Sequence, residues 1–297
     1  MQTDSLLSNH DLEQLRLQAA ALLRRPLPGS SNLSGEQASL QRGMGMELED
    51  LRPYQVGDDV RHIAWRTTAR SSRPITKVFR AERLQRILLI IEQHPGMGFA
   101  TRGELKATQA AKTAALIAFA GLHQRAEVGA LVCGQTSDQT IAHFPYSNQL
   151  DATLTIIGSS AHPPEQHSDI VAAQALLQAQ RISRRGDTIF IISDFGHWHS
   201  ELASQLRALT ETRPVHALQI IDDGERRLTD VGRLRLRSPF DGSETIIDTG
   251  NAELRKQYAM AMTQKQQQLQ QLFQLSHVAH HTLRTDADAP TRLAAIL

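Results

Sequence analysis

Two groups of residues in this chain carry side chains whose types and spacing could do chemistry. The first lies within residues 43–80, where Asp58 and Asp59 stand among Arg52, Arg61, Arg66 and Arg70, with Tyr54 and Trp65 beside them. Adjacent carboxylates, with Glu49 or Asp50 close by, could chelate a divalent cation. Guanidinium groups this near in sequence instead favour charge-assisted pairing with those acids. Trp65 follows Arg61 by four positions, so on a helix the two would share a face and could stack. The segment is either an ion-pair clamp whose charges satisfy one another or a surface that another molecule reads. Asp58, Asp59, Arg61, Trp65 and Arg66 are its candidate partner-binding residues.

The second group follows two strongly apolar runs. Residues 87–91 lead into Glu92-Gln93-His94-Pro95-Gly96, and residues 188–193 lead into Asp194-Phe195-Gly196. In open parallel sheets, ligands gather beyond the carboxyl ends of the strands. Glu92, His94, Ser193 and Asp194 would meet there, with Ser168 at the start of a helix. A hard divalent cation would want carboxylate and hydroxyl oxygens at such a place, and Pro95 and Gly96 supply none. Partner binding is therefore assigned to these residues, no metal ligand is assigned, and weak magnesium binding is not favoured. The competing reading is a magnesium-dependent hydrolase built from Glu92, Asp194, Asp58 and Asp59, which would need those carboxylates to converge.

Other chemistries lack their residues. The chain has 13 histidines, but neither His197-Trp198-His199 nor His280-His281 has the Cys/His spacing of a structural zinc site, so they read as scattered surface histidines. There is no phosphate-binding Gly-x-x-x-x-Gly-Lys loop and no Gly-x-Ser-x-Gly elbow. The single cysteine, Cys133, lies inside an apolar run and excludes a disulfide framework. Lys and Arg total 32 against 31 Asp and Glu, a balance that gives no field for nucleic acid or anionic lipid. The first residues lack a basic leader pattern, and no apolar run reaches the ~18 residues of a membrane span. A soluble cytoplasmic chain with no direct membrane insertion is the expectation.

The elements that must position these groups follow from pattern. A helix is expected over 12–25, stopped by Pro26 and Pro28, then an irregular stretch over 28–41. Strands are expected at 87–91, 128–133, 140–144, 188–193, 215–221 and 278–283. Helices are expected at 104–125, 148–157, 169–182 and 201–210, with 159–168 a loop. The helix at 104–125 is so rich in alanine that it should lie close against a sheet. Alternating strands and helices with apolar strands imply an α/β fold, a doubly wound, mostly parallel sheet covered on both faces. A hairpin over 232–249, turning at Asp241-Gly242, and a long, Gln-rich, solvated helix over 252–275 read as an insertion at about 229–275.

With these residues in view, the chain resembles the bacterial proteins known as domain of unknown function 58. The resemblance runs through Glu47, Arg52, Tyr54, Gly57-Asp58-Asp59, Arg61, Ile63, Trp65, Ala69-Arg70 and Lys77. It continues through Phe99, Thr101-Arg102-Gly103, Lys106, Val128-Gly129, Ser193-Asp194-Phe195, Asp230-Val231-Gly232, Asp248 and Tyr258. It implies a von Willebrand factor A-like domain over 81–297, with 1–80 an N-terminal helix and Arg/Asp/Trp-rich segment packed on it. It also implies a non-enzymatic adaptor that works with a MoxR-type AAA+ ATPase in chaperone-like assembly or activation of a client complex. In that fold a metal-ion-dependent adhesion site uses Asp-x-Ser-x-Ser after the first strand. Here those positions hold Glu92, His94 and Gly96, with Asp194 as a surviving carboxylate and Ser168 where a threonine is usual. The resemblance thus implies a degenerate form of that site.

Overall fold

From residue 86 onward the chain alternates strand and helix. The computed structural model describes residues 6–22, 46–71, 73–81, 85–133, 141–148, 153–154, 157–158, 169–238, 242–287 and 293. Helix α1 is Asn9–Leu22, and strands β1 (Met46–Pro53) and β2 (Ile75–Ala81) follow. A 3₁₀ turn (Val60–His62) and the short helix α2 (Trp65–Thr68) interrupt that pair. Then come β3 (Arg86–Glu92), α3 (Lys106–His123), β4 (Glu127–Cys133), β5 (Ile141–Ser147), α4 (Asp169–Ile182) and β6 (Thr188–Ser193). The chain continues with α5 (Ala203–Thr210), β7 (Val215–Ile221), α6 (Asp223–Arg226), β8 (Arg233–Arg237), β9 (Glu244–Asp248), α7 (Ala252–Leu275) and β10 (Ala279–Arg284).

Six strands form one sheet in the order β10-β7-β6-β3-β4-β5, parallel except for the β4–β5 pair. Pro145 sits in β5, on the sheet's edge, where a missing donor disturbs no inner ladder. The run Ile87-Leu88-Leu89-Ile90-Ile91 explains why β3 is central. Successive side chains point to opposite faces, so a strand apolar at every position must be covered twice. Ile87, Leu89 and Ile91 join one apolar cluster with α1 and α3, whereas Leu88 and Ile90 join another with α4, α5 and α7. The sheet is therefore doubly wound, as its sequence pattern requires. Helix α3 lies close: a Cβ added at Gly121 would come within 2.7 Å of Ile87 Cδ1.

The chain leaves β3 for β4 on one side and places β6 on the other, so the switch point of the winding lies between β3 and β6, where strand ends diverge and a site can form. Helix α7 carries the chain from β7 to its parallel neighbour β10, so it belongs to the winding and only the β8–β9 hairpin is added to it. Most of α7 is solvated as expected, but Leu269, Leu272 and Phe273 are buried at its last turns. The expected loop over 159–168, with Ser168, and Asp241 of the expected turn lie outside the described residues.

Two compact units divide the chain, residues 1–31 with 85–297, and residues 32–84. This differs from the expected boundary at residue 80. Helix α1 falls with the sheet because Leu7, Leu15 and Ala19 bury themselves in the α3 cluster. The 32–84 unit is built on a β1–β2 antiparallel pair that the charged sequence concealed.

Candidate functional site

The carboxyl ends of β3, β6 and β7 bring together Glu92, His94, Ser193, Asp194, Asp222 and Glu225. Lys106, the first residue of α3, completes the group. Lys106 is 1% exposed, and its Nζ donates to Asp194 Oδ2 at 2.7 Å and to Glu225 Oε1 at 2.6 Å. Asp194 Oδ1 accepts from His94 Nε2 at 2.9 Å and from the Gly196 amide at 2.7 Å. His94 Nδ1 in turn accepts from the Gly96 amide at 3.1 Å. Because Nδ1 accepts, the ring's one proton sits on Nε2 and is given to Asp194.

Electrostatics separate the two strand-end acids. Burial alone would lift Asp194, but the His94 hydrogen bond and the Lys106 ammonium outweigh it and hold its carboxyl far below the usual range. For Lys106, burial works against the charge and its two carboxylates overcome that, raising it. Burial lifts Glu225 despite Lys106 beside it, so Asp194 is the ammonium's firmer partner. Burial opposes charge on His94, while Asp194 and Glu92 raise it; a second proton would have to displace the Gly96 amide from Nδ1.

Glu92 is buried to the other side. Its carboxylate accepts from the Ser193 hydroxyl and from Trp198 Nε1 at 3.1 and 3.0 Å. Burial, the largest influence, pushes its pKa up. Ser193 Oγ also accepts from the Phe195 amide at 2.9 Å, so this hydroxyl is used as donor and acceptor. Trp198 packs edge-on against Phe195, with ring centroids 4.9 Å apart, and is buried. Neither it nor His94 behaves as a surface residue, and His280 and His281 are likewise half-buried. Their reading as scattered surface histidines fails because β10 places one on each face of the sheet, His280 against Phe273 and His281 over His216.

A second knot holds the same pole. Asp222 accepts from Thr101 Oγ1 at 2.6 Å, the Thr101 amide at 2.9 Å, the Gly224 amide at 2.8 Å and Thr285 Oγ1 at 2.8 Å. Those donors outweigh burial and keep its carboxyl low. The knot fixes the loop before α3 against the ends of β7 and β10. Tyr258 of α7 donates to the Glu225 carbonyl at 2.7 Å, tying α7 to the same corner.

The adhesion-site metal implied by the resemblance does not fit these residues. Positions 94 and 96 offer an imidazole and no side chain where hydroxyls are needed. The Glu92 carboxylate is engaged by Ser193 and Trp198, and both Asp194 oxygens have protein donors. Among the described residues, no group of three or more His, Cys, Asp or Glu side chains is arranged to hold an ion.

Asp58 and Asp59 belong to the 32–84 unit and Glu92 and Asp194 to the other, and each pair is spent locally. Asp58 accepts from Arg52 Nη2 at 2.6 Å and from the Gln55 amide at 2.9 Å. Asp59 caps the 3₁₀ turn through the Arg61 amide and pairs with Arg61 Nη2 at 2.7 Å. Arg61, foremost by its side-chain hydrogen bond, brings Asp59 down to about 2. Arg61 and Trp65 do not share a helix, because Ile63 and Ala64 separate the 3₁₀ turn from α2 with non-helical backbone. Trp65 is 67% exposed, and Val56 and Val60 are exposed too. Arg66 is exposed and makes no ion pair among the described residues.

The family described as "Protein of unknown function DUF58" matches residues 50–268. The chain belongs to the DUF58 family. Two relatives of this DUF58 protein are uncharacterized protein Rv1480 of Mycobacterium tuberculosis and uncharacterized protein Mb1516 of Mycobacterium bovis. Each is 30% identical over 263 residues, spanning 86% of this chain and 80% of the relative. Among solved structures, the conserved hypothetical protein BatB from Bacteroides thetaiotaomicron is similar, with a TM-score of 0.44 and 11% identity over 71% of this chain and 96% of that one. An aerotolerance-related membrane protein from Bacteroides fragilis gives 0.45 and 12% at the same coverages. The SpRpn10 VWA domain gives 0.39 and 9% over 72% of this chain and 96% of that domain. Among the described residues of the DUF58 chain, no helix is long and apolar enough to cross a membrane.

Of the expected strand-end residues, the fold joins Glu92 to Ser193 and His94 to Asp194. The reading from sequence missed Lys106, Asp222 and Glu225. Lys106 and Thr101 were visible as part of the DUF58 resemblance without a role attached. The other two sit directly after β7, a third carboxyl end to which the strand-end rule applies equally.

Proposed function

We propose that this DUF58 protein is a cytoplasmic, non-enzymatic adaptor that docks a MoxR-type AAA+ ATPase during chaperone-like assembly or activation of a client complex. Its strand-end pole is a degenerate metal-ion-dependent adhesion site. One observation carries the reading: the carboxylates that could do bond chemistry, Glu92 and Asp194, are already bound by protein donors. A pole whose acids are consumed in this way recognises by shape and hydrogen bonding, not by making or breaking bonds. The 32–84 unit supports the same reading. Its Asp58 and Asp59 are paired internally while Trp65, Val56 and Val60 remain exposed next to Arg61 and Arg66, and aromatic and Arg side chains are enriched at protein interfaces.

The test is capture of a MoxR-type ATPase by purified protein, wild type against Arg61→Ala plus Trp65→Ala. Retention by wild type and at least tenfold weaker retention by the double variant is expected, corresponding to about 1.4 kcal/mol or more. Absence of the ATPase from both captures sinks the adaptor reading. Equal retention by both removes Trp65 and Arg61 from the interface.

A further inference from the structure

Where the adhesion-site pattern calls for a divalent ion beside the strand ends, this chain delivers an ammonium. Lys106 opens α3, its amide held by the Phe99 carbonyl at 3.1 Å, and its side chain is 1% exposed. Its Nζ lies between Asp194 of the β6 end and Glu225 of α6, at 2.7 and 2.6 Å. These two carboxylates come from segments 88 and 119 residues away in the chain. A buried charge persists only when paired and hydrogen-bonded, and Nζ has a carboxylate on two sides. Asp194 is closed from its remaining side by His94 and Gly196.

We propose that the Lys106 ammonium is the resident cation of this site, bridging the β6 end to α6 in the role a metal ion would otherwise have. The site is then complete on folding and independent of divalent metal. A cation tethered covalently to the chain cannot dissociate, so the pole has one state where a metal site has an occupied and an empty one. The ammonium is also shut away from solvent, and an incoming partner cannot coordinate it as an acidic side chain coordinates an exposed metal. The inference concerns how the pole is held together and stands whether or not the partner is an ATPase.

The experiment is thermal unfolding of the full chain, with and without chelator, Mg²⁺ and Mn²⁺. Wild type is compared with Lys106→Met, Asp194→Asn and the double variant, and Mn²⁺ binding is read by electron paramagnetic resonance. Wild type is expected to unfold at the same temperature in chelator as in millimolar Mg²⁺ or Mn²⁺. Lys106→Met leaves two carboxylates facing each other without their cation and is expected to lower the midpoint by roughly 5–15 °C. Adding Asp194→Asn to it should cost less than the sum of the single changes, because the lone buried charge is relieved. If Lys106→Met does not fold, recovery of folding in the double variant is the supporting result, and failure to recover overturns the proposal. Additive losses overturn it too, as does saturable Mn²⁺ binding by wild type that Asp194→Asn abolishes.

Discussion

Asp194 and Glu92 are neighbours across the switch point, yet their environments push their proton affinities in opposite directions, Asp194 down and Glu92 up. In enzymes such divergence often marks an acid and base pair. Here its causes are structural, an ammonium and imidazole on one acid and an indole, a hydroxyl and dry packing on the other. His216 shows the same logic in a base. It is 8% exposed, stacked on Phe190 and facing His281, and its Nδ1 is a buried atom without a hydrogen-bond partner among the described residues. Burial first, then the charge of His281, brings it from 6.5 down to about 4. Between those two values the unfolded chain binds a proton that the folded chain refuses, so stability must fall as pH drops from 6.5 and the loss is complete near pH 4. The full contribution is up to about 3 kcal/mol. His216→Phe keeps the stack and removes the proton site, so denaturant unfolding at pH 6.5 and 4.5 should show a shallower decline than wild type. An identical decline in the two proteins would mean that His216 is not held neutral by its packing.

The loop between β3 and α3 shows how an element is placed. Gly103 has φ +77°, and a Cβ there would stand 2.4 Å from the Thr285 carbonyl oxygen and 2.9 Å from Asp286 Cα. Both obstacles are backbone, and the same carbonyl accepts from the Glu104 amide at 3.2 Å. The left-handed penalty and the overpacking together should therefore make Gly103→Ala cost about 3 kcal/mol or more and loosen α3 with Lys106 at its head. Gly186 has φ +87° but open space around it, so Gly186→Ala should cost only the left-handed penalty of about 1–2 kcal/mol. Calorimetric midpoints of the two variants separate these cases, and equal losses would mean that the Thr285 contact does not constrain the loop. The apolar runs at 87–91 and 188–193 were legible because a twice-covered strand has no polar face to hide it. The β1–β2 pair was not, since charges interrupt its apolar positions and its partners lie as far apart in the chain as Met46 and Ala81. Arg61 and Trp65 do not share a helix for a local reason. Asp59 accepts the Arg61 amide and closes a 3₁₀ turn, a side-chain bond that competes with helix propagation. Glu92 and Asp194 were legible as strand ends, but the ammonium that organises Asp194 comes from another element, and sequence spacing says nothing of such a meeting.

Across the whole molecule, near-zero net charge, a doubly covered sheet and two-stranded hairpins divide the chain into parts of unequal cohesion. Strands β3 and β6 each have a paired neighbour on both sides, and their inner residues are fully buried. Among the described residues the β8–β9 pair has two open edges, with Leu236 and Ile246 exposed. Two-stranded hairpins are marginal by themselves in water, and local opening follows local burial. Native-state hydrogen exchange should therefore show β3 and β6 amides opening only with the whole sheet unit, at its full unfolding free energy. Amides of β8–β9 should open at least about 2 kcal/mol more easily, roughly 30-fold faster under matched conditions. The strand-end site should exchange with the core, because Asp222, Lys106 and Asp194 bind segments from β3, β6, β7 and β10 into one knot. Protection of the Gly196 and Gly224 amides, which donate to Asp194 and Asp222, reads that directly. Were those two amides to exchange as quickly as the β8–β9 hairpin, the pole would be a loose surface feature, and a preformed docking site there would lose its physical basis.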